Sequence, residues 1–342
     1  MSEEHVQDLG EQGLLARLLP FCADVVGDDG ALMPIAPGQS VVVTTDLLVD
    51  GVHFSDRTTP AAAVGWRAAA ANLSDLAAMG ATPLGITVGL SLPGSVKISW
   101  VEQLYQGLTD CLRKYNTPIV GGDICRSETA TVAIAAFGQV FPHRAIRRNM
   151  AQVGDAILVT GSHGASRAGL ELLLHPERGH GLLQGDRRML IEAHQYPVPR
   201  LDVLACLEEL LLPGNLTQLT ESSIHAAGMD SSDGLADAVL QICRASGVGA
   251  EIDRQQIPMP SCFKTWLSDS QALNWAMYGG EDFELVLCLA PHLAQMLVQR
   301  LGGEAAIIGT ITQQSSVVLT DSHQVHPREA LSLKRGFQHF QY

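Results

Sequence analysis

Six short acidic motifs in the chain have the composition of divalent-cation sites. Each places aspartate or glutamate beside glycine or against an apolar run. On a solvated helix face, acids are instead mixed with lysines at helical spacing. The motifs therefore predict carboxylates in a partly buried pocket where a ligand approaches the backbone closely. The acids are Asp28 and Asp29, Asp46 and Asp50, Asp75, Asp123, Asp230 and Asp233, and Glu281, Asp282 and Glu284.

Carboxylates that converge in this way need cations between them. Two carboxylates about 4 Å apart repel by roughly 4 kcal/mol at an effective dielectric near 20. Hard oxygen ligands suit Mg²⁺ or Ca²⁺, and Mg²⁺ usually binds one or two carboxylates together with substrate phosphates. The pattern thus indicates phosphoryl transfer from a nucleotide. A single Asp-Gly pair is more typical of a turn than of a metal site, so it is the repetition that favours a metal pocket.

The common phosphate-binding and hydrolytic motifs are absent from the sequence. It contains no G-x-x-x-x-G-K-[ST], G-x-G-x-x-G, G-x-S-x-G or H-E-x-x-H.

Three other features are candidate ligand contacts. The small residues at 161–169 follow a predicted strand, and they either expose backbone amides that bind an anion or allow a helix to pack closely against the sheet. Arg147 and Arg148 form the basic pair best suited to a triphosphate, or a solvated pair at a domain boundary. His53, within the densest acidic motif, is either a ligand contact or an ordinary polar residue.

Composition excludes several classes of partner. The 342 residues include 22 Lys and Arg against 36 Asp and Glu, giving a formal net charge of −14. This charge repels nucleic-acid phosphates and anionic membranes, so we expect neither as a partner. The sequence shows no signal-peptide pattern and no apolar run of membrane-spanning length. Seven scattered cysteines without a C-x-x-C pair indicate free thiols, and together these features predict a cytoplasmic protein.

The elements that must position the acids are those of a mixed α/β (α+β) protein with two domains. The length suggests two domains, and the polar stretch near 144–154 predicts domains at 1–148 and 149–342. Short β-branched runs alternate with helical patterns. The predicted strands are 40–45, 85–92, 130–140 and 156–160, and the predicted helices are 59–80, 100–115, 165–174, 201–212 and 233–246.

In this order, the motifs resemble those of the thiamine-monophosphate kinase family, within the superfamily typified by aminoimidazole ribonucleotide synthetase. The resemblance covers nearly the whole chain. It implies a two-domain aminoimidazole ribonucleotide synthetase-like fold whose N-terminal domain binds metal and ATP and forms a homodimer. The matching strings are G-D-D at 27–29, T-T-D-x-L-V-x-G-x-H-F at 44–54, N-L-S-D-L-A-A-M-G-A-x-P at 72–83, G-G-D at 121–123, S-D-G-L at 232–235, G-G-E-D-F-E-L at 279–285 and G-F-Q-H-F at 336–340.

The resemblance further implies ATP-dependent phosphorylation of thiamine monophosphate to thiamine diphosphate, the last step of thiamine diphosphate biosynthesis. Several Mg²⁺ ions, with K⁺ as an optional further cation, would hold two anionic reactants in line. Because the acceptor phosphate is already ionised near neutral pH, no catalytic base is expected. The implied metal ligands are Asp29, Thr44, Asp46, Asp75, Asp123, Asp230 and Asp233, with Thr45 as a further donor or a strand residue; the implied ATP contacts are Tyr105, Gly122, Asp123, Arg148 and Ser232; and the implied substrate contacts are His53, Glu281 and Phe337.

The chain departs from the family pattern in two places. Ser231 stands where the family more often has an apolar residue, and 213–228 resembles an insertion directly before Asp230. Neither departure changes the acids themselves. Two other hypotheses stay open: an ATP-using relative that acts on another small phosphate or nucleophile, and a catalytically silent scaffold that binds divalent cations.

Overall fold

The computed structural model describes residues 4–26, 29–210 and 225–336, and the chain divides into two compact units. The first contains the chain up to Leu76 together with Ala81–Pro142, and the second contains Ala77–Gly80 and the chain from His143 onward. This division falls after Pro142, whereas the sequence predicts a boundary after residue 148. Ile146 accounts for the difference, because its side chain is buried in a core cluster of the second unit.

The first unit is a four-stranded sheet with helices. Its sheet has the order β1-β4-β2-β3, in which β4 is antiparallel to β1 and β2, and β3 is parallel to β2. The last two residues of α2 belong to the second unit. The elements are α1 Val6–Leu18, β1 Ser40–Val49, α2 Ala61–Ala78, β2 Thr82–Leu92, α3 Ile98–Arg113, β3 Ile119–Arg126 and β4 Thr131–Val140.

Helix α2 is held closely against α3 by small residues. A Cβ atom at Gly65 would lie 1.9 Å from the carbonyl oxygen of Leu104, and one at Gly107 would lie 1.8 Å from that of Ala62. The helix ends where the sequence predicts, since Gly80 adopts a φ of +71° and its N–H donates to Ala77. The position of α2 matters because Asp75 lies in its last turn.

The sheet of the first unit has one buried and one open face. Residues of β4 alternate between buried and partly exposed along its whole length. On β1, Val41, Val43 and Leu47 lie on the open face, and Val43 is 61% exposed. This unit therefore presents an apolar sheet face to its surroundings.

The second unit is a seven-stranded mixed sheet of order β11-β10-β7-β9-β5-β8-β6, in which only the β7–β10 pairing of the described strands is parallel. Both faces of its central strands are covered: Ile157 and Val159 point into one core cluster, and Leu158 points into another. The predicted mixed α/β class is thus confirmed. The elements are β5 Ala156–Val159, α4 Ala165–Leu174, α5 Gln184–Gln195, α6 Asp202–Leu210, β6 Ala227–Asp230, α7 Leu235–Ser246, β7 Gly249–Asp253, α8 Phe263–Trp266, α9 Asp269–Tyr278, β8 Leu285–Leu289, α10 Pro291–Leu301, β9 Ala306–Thr312, β10 Val317–Thr320 and β11 Glu329–Ala330.

Within residues 4–26, 29–210 and 225–336, no helix has the length and apolar character needed to cross a membrane.

Candidate active site

Strand β1 and helix α2 bring two of the predicted metal ligands into contact. The Thr44 hydroxyl donates a hydrogen bond to Oδ2 of Asp75. Asp46 lies on the same face of β1 as Thr44, because side chains two residues apart on a strand point the same way. A hydroxyl and two carboxylates are a suitable oxygen donor set for Mg²⁺. In the described part of the chain, however, no three His, Cys, Asp or Glu side chains already form a metal cluster.

Thr45 belongs to the opposite face of β1. It is exposed, and its hydroxyl donates to the carbonyl oxygen of Ile134 at 2.7 Å across the β1–β4 pair. The structure therefore favours the interpretation of Thr45 as a strand residue over that of a metal ligand beside Thr44.

Asp123 lies on the far edge strand of the same sheet. Pairing across the four strands aligns Asp46 with Ile134, Val88 and Gly122. Three strand spacings separate the two ends by about 14 Å along the sheet, whereas two ligands of one Mg²⁺ each lie about 2.1 Å from the ion. Asp46 and Asp123 would thus serve different ions or different parts of a nucleotide.

Gly122 has a packing reason to be glycine. A Cβ atom there would lie 2.3 Å from the carbonyl oxygen of Val88 on the neighbouring strand. The Gly-Gly-Asp motif is therefore explained locally by close strand contact, and its nucleotide role stays a prediction. The predicted role of Asp29 as a metal ligand also stays a prediction. Asp29 is exposed and directly follows positions 27–28, which lie outside the described residues.

His53 is fixed in the turn that follows β1. The Val49 N–H donates to Nδ1 of His53 at 3.1 Å, and the His53 N–H donates back to the Val49 carbonyl at 2.9 Å. Because Nδ1 accepts a hydrogen bond, the proton of the neutral ring is on Nε2. The buried guanidinium of Arg67, on α2, also donates to the His53 carbonyl at 3.3 Å. Sequence reasoning missed Arg67, although an arginine inside the apolar run of α2 was an available signal.

Tyr105 is placed differently from the other predicted ATP contacts. It is 4% exposed, and its ring centroid lies 5.8 Å from that of Phe21. Burial raises the pKa of its hydroxyl above the ordinary value. This environment favours a packing role, and the nucleotide contact stays a prediction.

In the second unit, the Asp230 motif begins where β6 ends. Asp230 is buried, and the Ser232 hydroxyl donates to its Oδ1 at 2.9 Å. Asp233 is exposed and lies near Asp237. Burial and the charge of Asp233 raise the pKa of Asp237, and the charge of Arg148 opposes this rise without cancelling it. The structure thus brings Arg148, Asp233 and Asp237 into one electrostatic neighbourhood.

Ser231, the departure from the family pattern, has a buried partner. Its hydroxyl lies 3.1 Å from Nε2 of His163, and Nδ1 of that ring lies 3.1 Å from the carbonyl oxygen of Gly161. Burial lowers the pKa of His163 to about 4, so the ring is neutral at pH 7. Serine at this position is therefore explained by the histidine facing it. Of the predicted insertion at 213–228, positions 213–224 lie outside the described residues.

The Glu281 loop has an unusual backbone. Gly280, Glu281 and Phe283 have φ values of +67°, +59° and +53°. Non-glycine residues in this region cost about 1 kcal/mol or more, and such strain is concentrated at functional sites. The Glu281 N–H donates to the Ser232 carbonyl at 2.7 Å, which joins this loop to the Asp230 motif.

Asp282 turns inward and caps a helix. Its carboxylate accepts hydrogen bonds from the N–H groups of Gly164 at 2.7 Å and Ser166 at 2.9 Å, at the start of α4. The Gly164 and Ser166 amides are therefore occupied by a side chain of the protein itself, so the prediction of an anion-binding loop is wrong at these two amides. The packing alternative is confirmed at Gly169, where a Cβ atom would lie 2.0 Å from the Leu190 carbonyl oxygen.

Glu284 also has a structural role. Its carboxylate accepts hydrogen bonds from the Thr160 hydroxyl and from the Arg200 guanidinium. The same guanidinium also donates to both carboxylate oxygens of Asp202, at 3.0 and 2.9 Å. Arg200 was missed in the sequence because it lies in the proline-rich connector after α5. Of the three acids in this motif, Asp282 is thus held at a helix terminus and Glu284 by an arginine.

The capping role of Asp282 predicts a distinct pH dependence of stability. Burial raises the pKa of this carboxyl to about 7, from 3.8. Between pH 3.8 and about 7, the folded state therefore binds one proton more than the unfolded state. The contribution of this group to the free energy of unfolding falls as the pH rises towards 7. Denaturant unfolding from pH 5.5 to 8 should show the stability of the wild type relative to Asp282→Asn falling by roughly 2 kcal/mol. A constant difference would contradict the raised pKa.

Comparisons with known proteins match both units. The family model for AIR synthase related protein, N-terminal domain, matches residues 27–140, and the C-terminal domain model matches residues 152–322. The chain is 52% identical over 341 residues to the thiamine-monophosphate kinase of Synechococcus elongatus, covering 99% of each chain. The crystal structure of thiamine-monophosphate kinase from Stenotrophomonas maltophilia K279a matches with a TM-score of 0.75 and 31% identity, over 90% of this chain and 94% of that one. AaThiL, complexed with AMPPCP and TMP, matches with a TM-score of 0.69 and 28% identity, over 97% and 99% of the two chains.

Proposed function

Because the chain belongs to the AIR synthase related family, and within it to the thiamine-monophosphate kinases, we propose that it transfers the γ-phosphoryl group of ATP to thiamine monophosphate. The products are thiamine diphosphate and ADP, which makes this the last step of thiamine diphosphate biosynthesis. The observation that carries the proposal is 52% identity to a curated thiamine-monophosphate kinase over 99% of both chains.

The first unit contributes oxygen donors for Mg²⁺. The contact between Thr44 and Asp75, with Asp46 on the same strand face, fits a hard divalent cation. Bound magnesium supplies charge neutralisation for two phosphate groups that otherwise repel each other. Asp29 and Asp123 complete the proposed donors of this unit, and Asp230 and Asp233 are those of the second unit. K⁺ is an optional additional cation.

The protein needs no strong base for this reaction. The second pKa of a phosphate group is about 6, so the attacking oxygen is ionised near neutral pH. The task of the side chains is therefore to bind and orient the two reactants. We assign Gly122, Asp123, Arg148 and Ser232 to ATP, together with the buried Tyr105.

The proposed thiamine contacts are His53, Glu281 and Phe337. His53 is rigidly placed and its neutral ring carries the proton on Nε2, which suits a phosphate oxygen. Glu281 offers negative charge to a thiazolium or aminopyrimidine ring. Phe337 lies outside the described residues, and its aromatic face suits a cation. Gly336, directly before it, lies close to the motif of the second unit, since a Cβ atom there would be 3.8 Å from the Asp233 carbonyl oxygen.

We propose that the working form is a cytoplasmic homodimer joined through the open sheet face of the first unit. Val41, Val43 and Leu47 support this, because exposed apolar patches on sheets mark association surfaces. All seven cysteines are free thiols, as suits a reducing compartment.

The dimer proposal predicts that Val43→Lys combined with Leu47→Lys yields a monomer in sedimentation velocity, because two buried lysines per protomer would be desolvated without partners. Val52→Lys, at an exposed apolar residue of the following turn, is the matched control and should leave the mass unchanged. A dimer that persists in the double variant places the interface elsewhere.

The proposed activity is tested directly with purified protein, ATP, Mg²⁺ and thiamine monophosphate. We expect equimolar ADP and thiamine diphosphate, and no product when EDTA replaces Mg²⁺. ATP hydrolysis that is indifferent to thiamine monophosphate would instead favour a relative acting on another phosphate or nucleophile. A melting temperature that responds to Mg²⁺ but not to an ATP analogue with Mg²⁺ would favour a silent cation-binding scaffold.

A further inference from the structure

Helix α4 contacts the Glu281 loop at two separate points. Within the loop, the Asp282 carboxylate accepts hydrogen bonds from two N–H groups at the start of the helix. At the beginning of the loop, Arg167 on the same helix packs against Gly279, where a Cβ atom would lie 2.7 Å from the Cβ of Arg167. The first turn of α4 is therefore in contact with both the beginning and the middle of the loop.

The Arg167 side chain is held between an acid and an aromatic ring. The Cζ atom of its guanidinium lies 5.4 Å from the ring centroid of Trp275, in the last turn of α9. One nitrogen of the same group lies 2.8 Å from Oε2 of Glu171, one turn further along α4. A guanidinium over an indole face is an attractive electrostatic contact, and the ion pair with the buried glutamate holds it there. Arg167 thus joins α4 to the helix from which the loop begins.

The Glu281 loop needs such support because its backbone is strained. Gly280, Glu281 and Phe283 all have positive φ values, of +67°, +59° and +53°. A non-glycine residue keeps this conformation only where surrounding contacts determine it. The Glu281 N–H is bonded to the Ser232 carbonyl, and the Phe283 side chain is buried. Arg167 adds a contact at the point where the chain leaves α9.

We propose that Arg167 is a positioning residue that maintains the strained conformation of the Glu281 loop and thereby supports turnover. This inference rests on the proposed function, because it takes the loop to be part of the active site. Strain of this kind is concentrated at functional sites, and the loop is bonded to the Asp230 motif through the Ser232 carbonyl. Arg167 acts by fixing the end of α9 against α4, and this action needs no contact with either reactant.

Arg167→Met tests the structural part of this role. Methionine keeps much of the apolar packing of the arginine stem, but it offers no charge to Glu171 or to the Trp275 ring. Hydrogen–deuterium exchange read by mass spectrometry reports on the loop, because the Glu281 N–H and the two N–H groups bonded to Asp282 are protected by those bonds. We expect these amides to exchange about tenfold faster in the variant. The amides of β5 should exchange at the wild-type rate.

Steady-state kinetics test the effect on turnover. Arg167→Met should lower kcat about tenfold at saturating ATP, Mg²⁺ and thiamine monophosphate, at a temperature where both proteins are folded, because small displacements of positioned groups slow a reaction. Arg167→Lys restores a cation without the planar guanidinium, and we expect it to recover kcat to within about threefold of the wild type. If Arg167→Met fails to fold, the lysine variant decides, since its loop exchange and its kcat must both change.

Arg178→Met is the matched control. Arg178 lies in the short helix at 176–179, after α4, and forms an ion pair with the other carboxylate oxygen of Glu171. This substitution removes the same charge from the same acid and leaves in place the arginine that packs on the loop. We expect loop exchange and kcat to stay within about twofold of the wild type, even where the melting temperature falls.

Three outcomes overturn the inference and leave the proposed function intact. Unchanged loop exchange in Arg167→Met shows that the loop does not depend on Arg167. Faster exchange with a wild-type kcat shows that turnover does not depend on the loop conformation. Equal effects of Arg167→Met and Arg178→Met assign the loss to the ion pair with Glu171. A wild-type protein that forms no thiamine diphosphate overturns the proposed function, whereas the exchange measurement still tests whether Arg167 holds the loop.

Discussion

Replacing Asp75 with asparagine is expected to lower kcat about a thousandfold while leaving the fold intact. Asparagine has nearly the same shape, and its amide oxygen can still accept the hydrogen bond that Thr44 donates to Asp75. What disappears is the negative charge, which the proposed Mg²⁺ site requires. The measurement is steady-state ADP formation over a range of Mg²⁺ concentrations, together with the melting temperature, which should change by no more than about 2 °C.

The matched control for this variant is Asp110→Asn. Asp110 is an exposed acid on α3, in the same unit, and accepts a hydrogen bond from Gln106 at 2.7 Å. We expect its kcat to stay within twofold of the wild type. If Asp75→Asn turned over at the wild-type rate at every Mg²⁺ concentration, Asp75 would not be a metal ligand. Its contact with Thr44 would then be only a helix-to-strand hydrogen bond.

Local patterns in the sequence account for those features of the candidate site that depend on local geometry. The twofold period of β1 places Thr44 and Asp46 on one face and Thr45 on the other. Helix termini were predicted for a similar reason, since α7 ends at Ser246 and Gly247 follows with a φ of +70°. In each case, the physical cause lies within a few residues of its effect.

The different roles of the three acids in the Glu281 motif could not be predicted from local patterns. Glu281, Asp282 and Glu284 are similar side chains within four positions, and all three were candidates for the same pocket. Asp282 turns inward because helix α4 offers it two N–H groups, and Glu284 does so because Arg200 and Thr160 meet it. These partners are between 84 and 124 residues away in the sequence.

The same reasoning applies to the residues that were missed altogether. Arg67 contacts His53 from a helix, and His194 contacts Glu281 from another, so neither carries a motif of its own. Ser231 looked like a departure from the family pattern until its partner, His163, was located 68 residues earlier. Polar residues within apolar segments are the signal that the sequence does contain, because burial of such groups requires a partner.

The second large effect concerns the packing that places α2, and with it Asp75. Gly107→Ala is expected to lower the free energy of unfolding of the protein by about 3 kcal/mol or more. The added Cβ atom would lie 1.8 Å from the carbonyl oxygen of Ala62 and 2.9 Å from its Cα. These are backbone atoms, so no side-chain rotation relieves the clash and the two helices must separate. Because Asp75 lies in the last turn of α2, we also expect kcat to fall at temperatures where the variant is still folded.

Urea unfolding followed by circular dichroism measures the loss, with Gly185→Ala as the matched control. Gly185 lies in the first turn of α5, and a Cβ atom there meets nothing within 4 Å. Alanine at that position should be neutral or should stabilise the protein by about 0.5–1 kcal/mol, because it lowers the backbone entropy of the unfolded chain. If Gly107→Ala instead unfolded at the wild-type urea concentration, the α2–α3 contact would be able to relax. The position of Asp75 would then have to depend on its hydrogen bond to Thr44, and Thr44→Val would be the variant that reveals it.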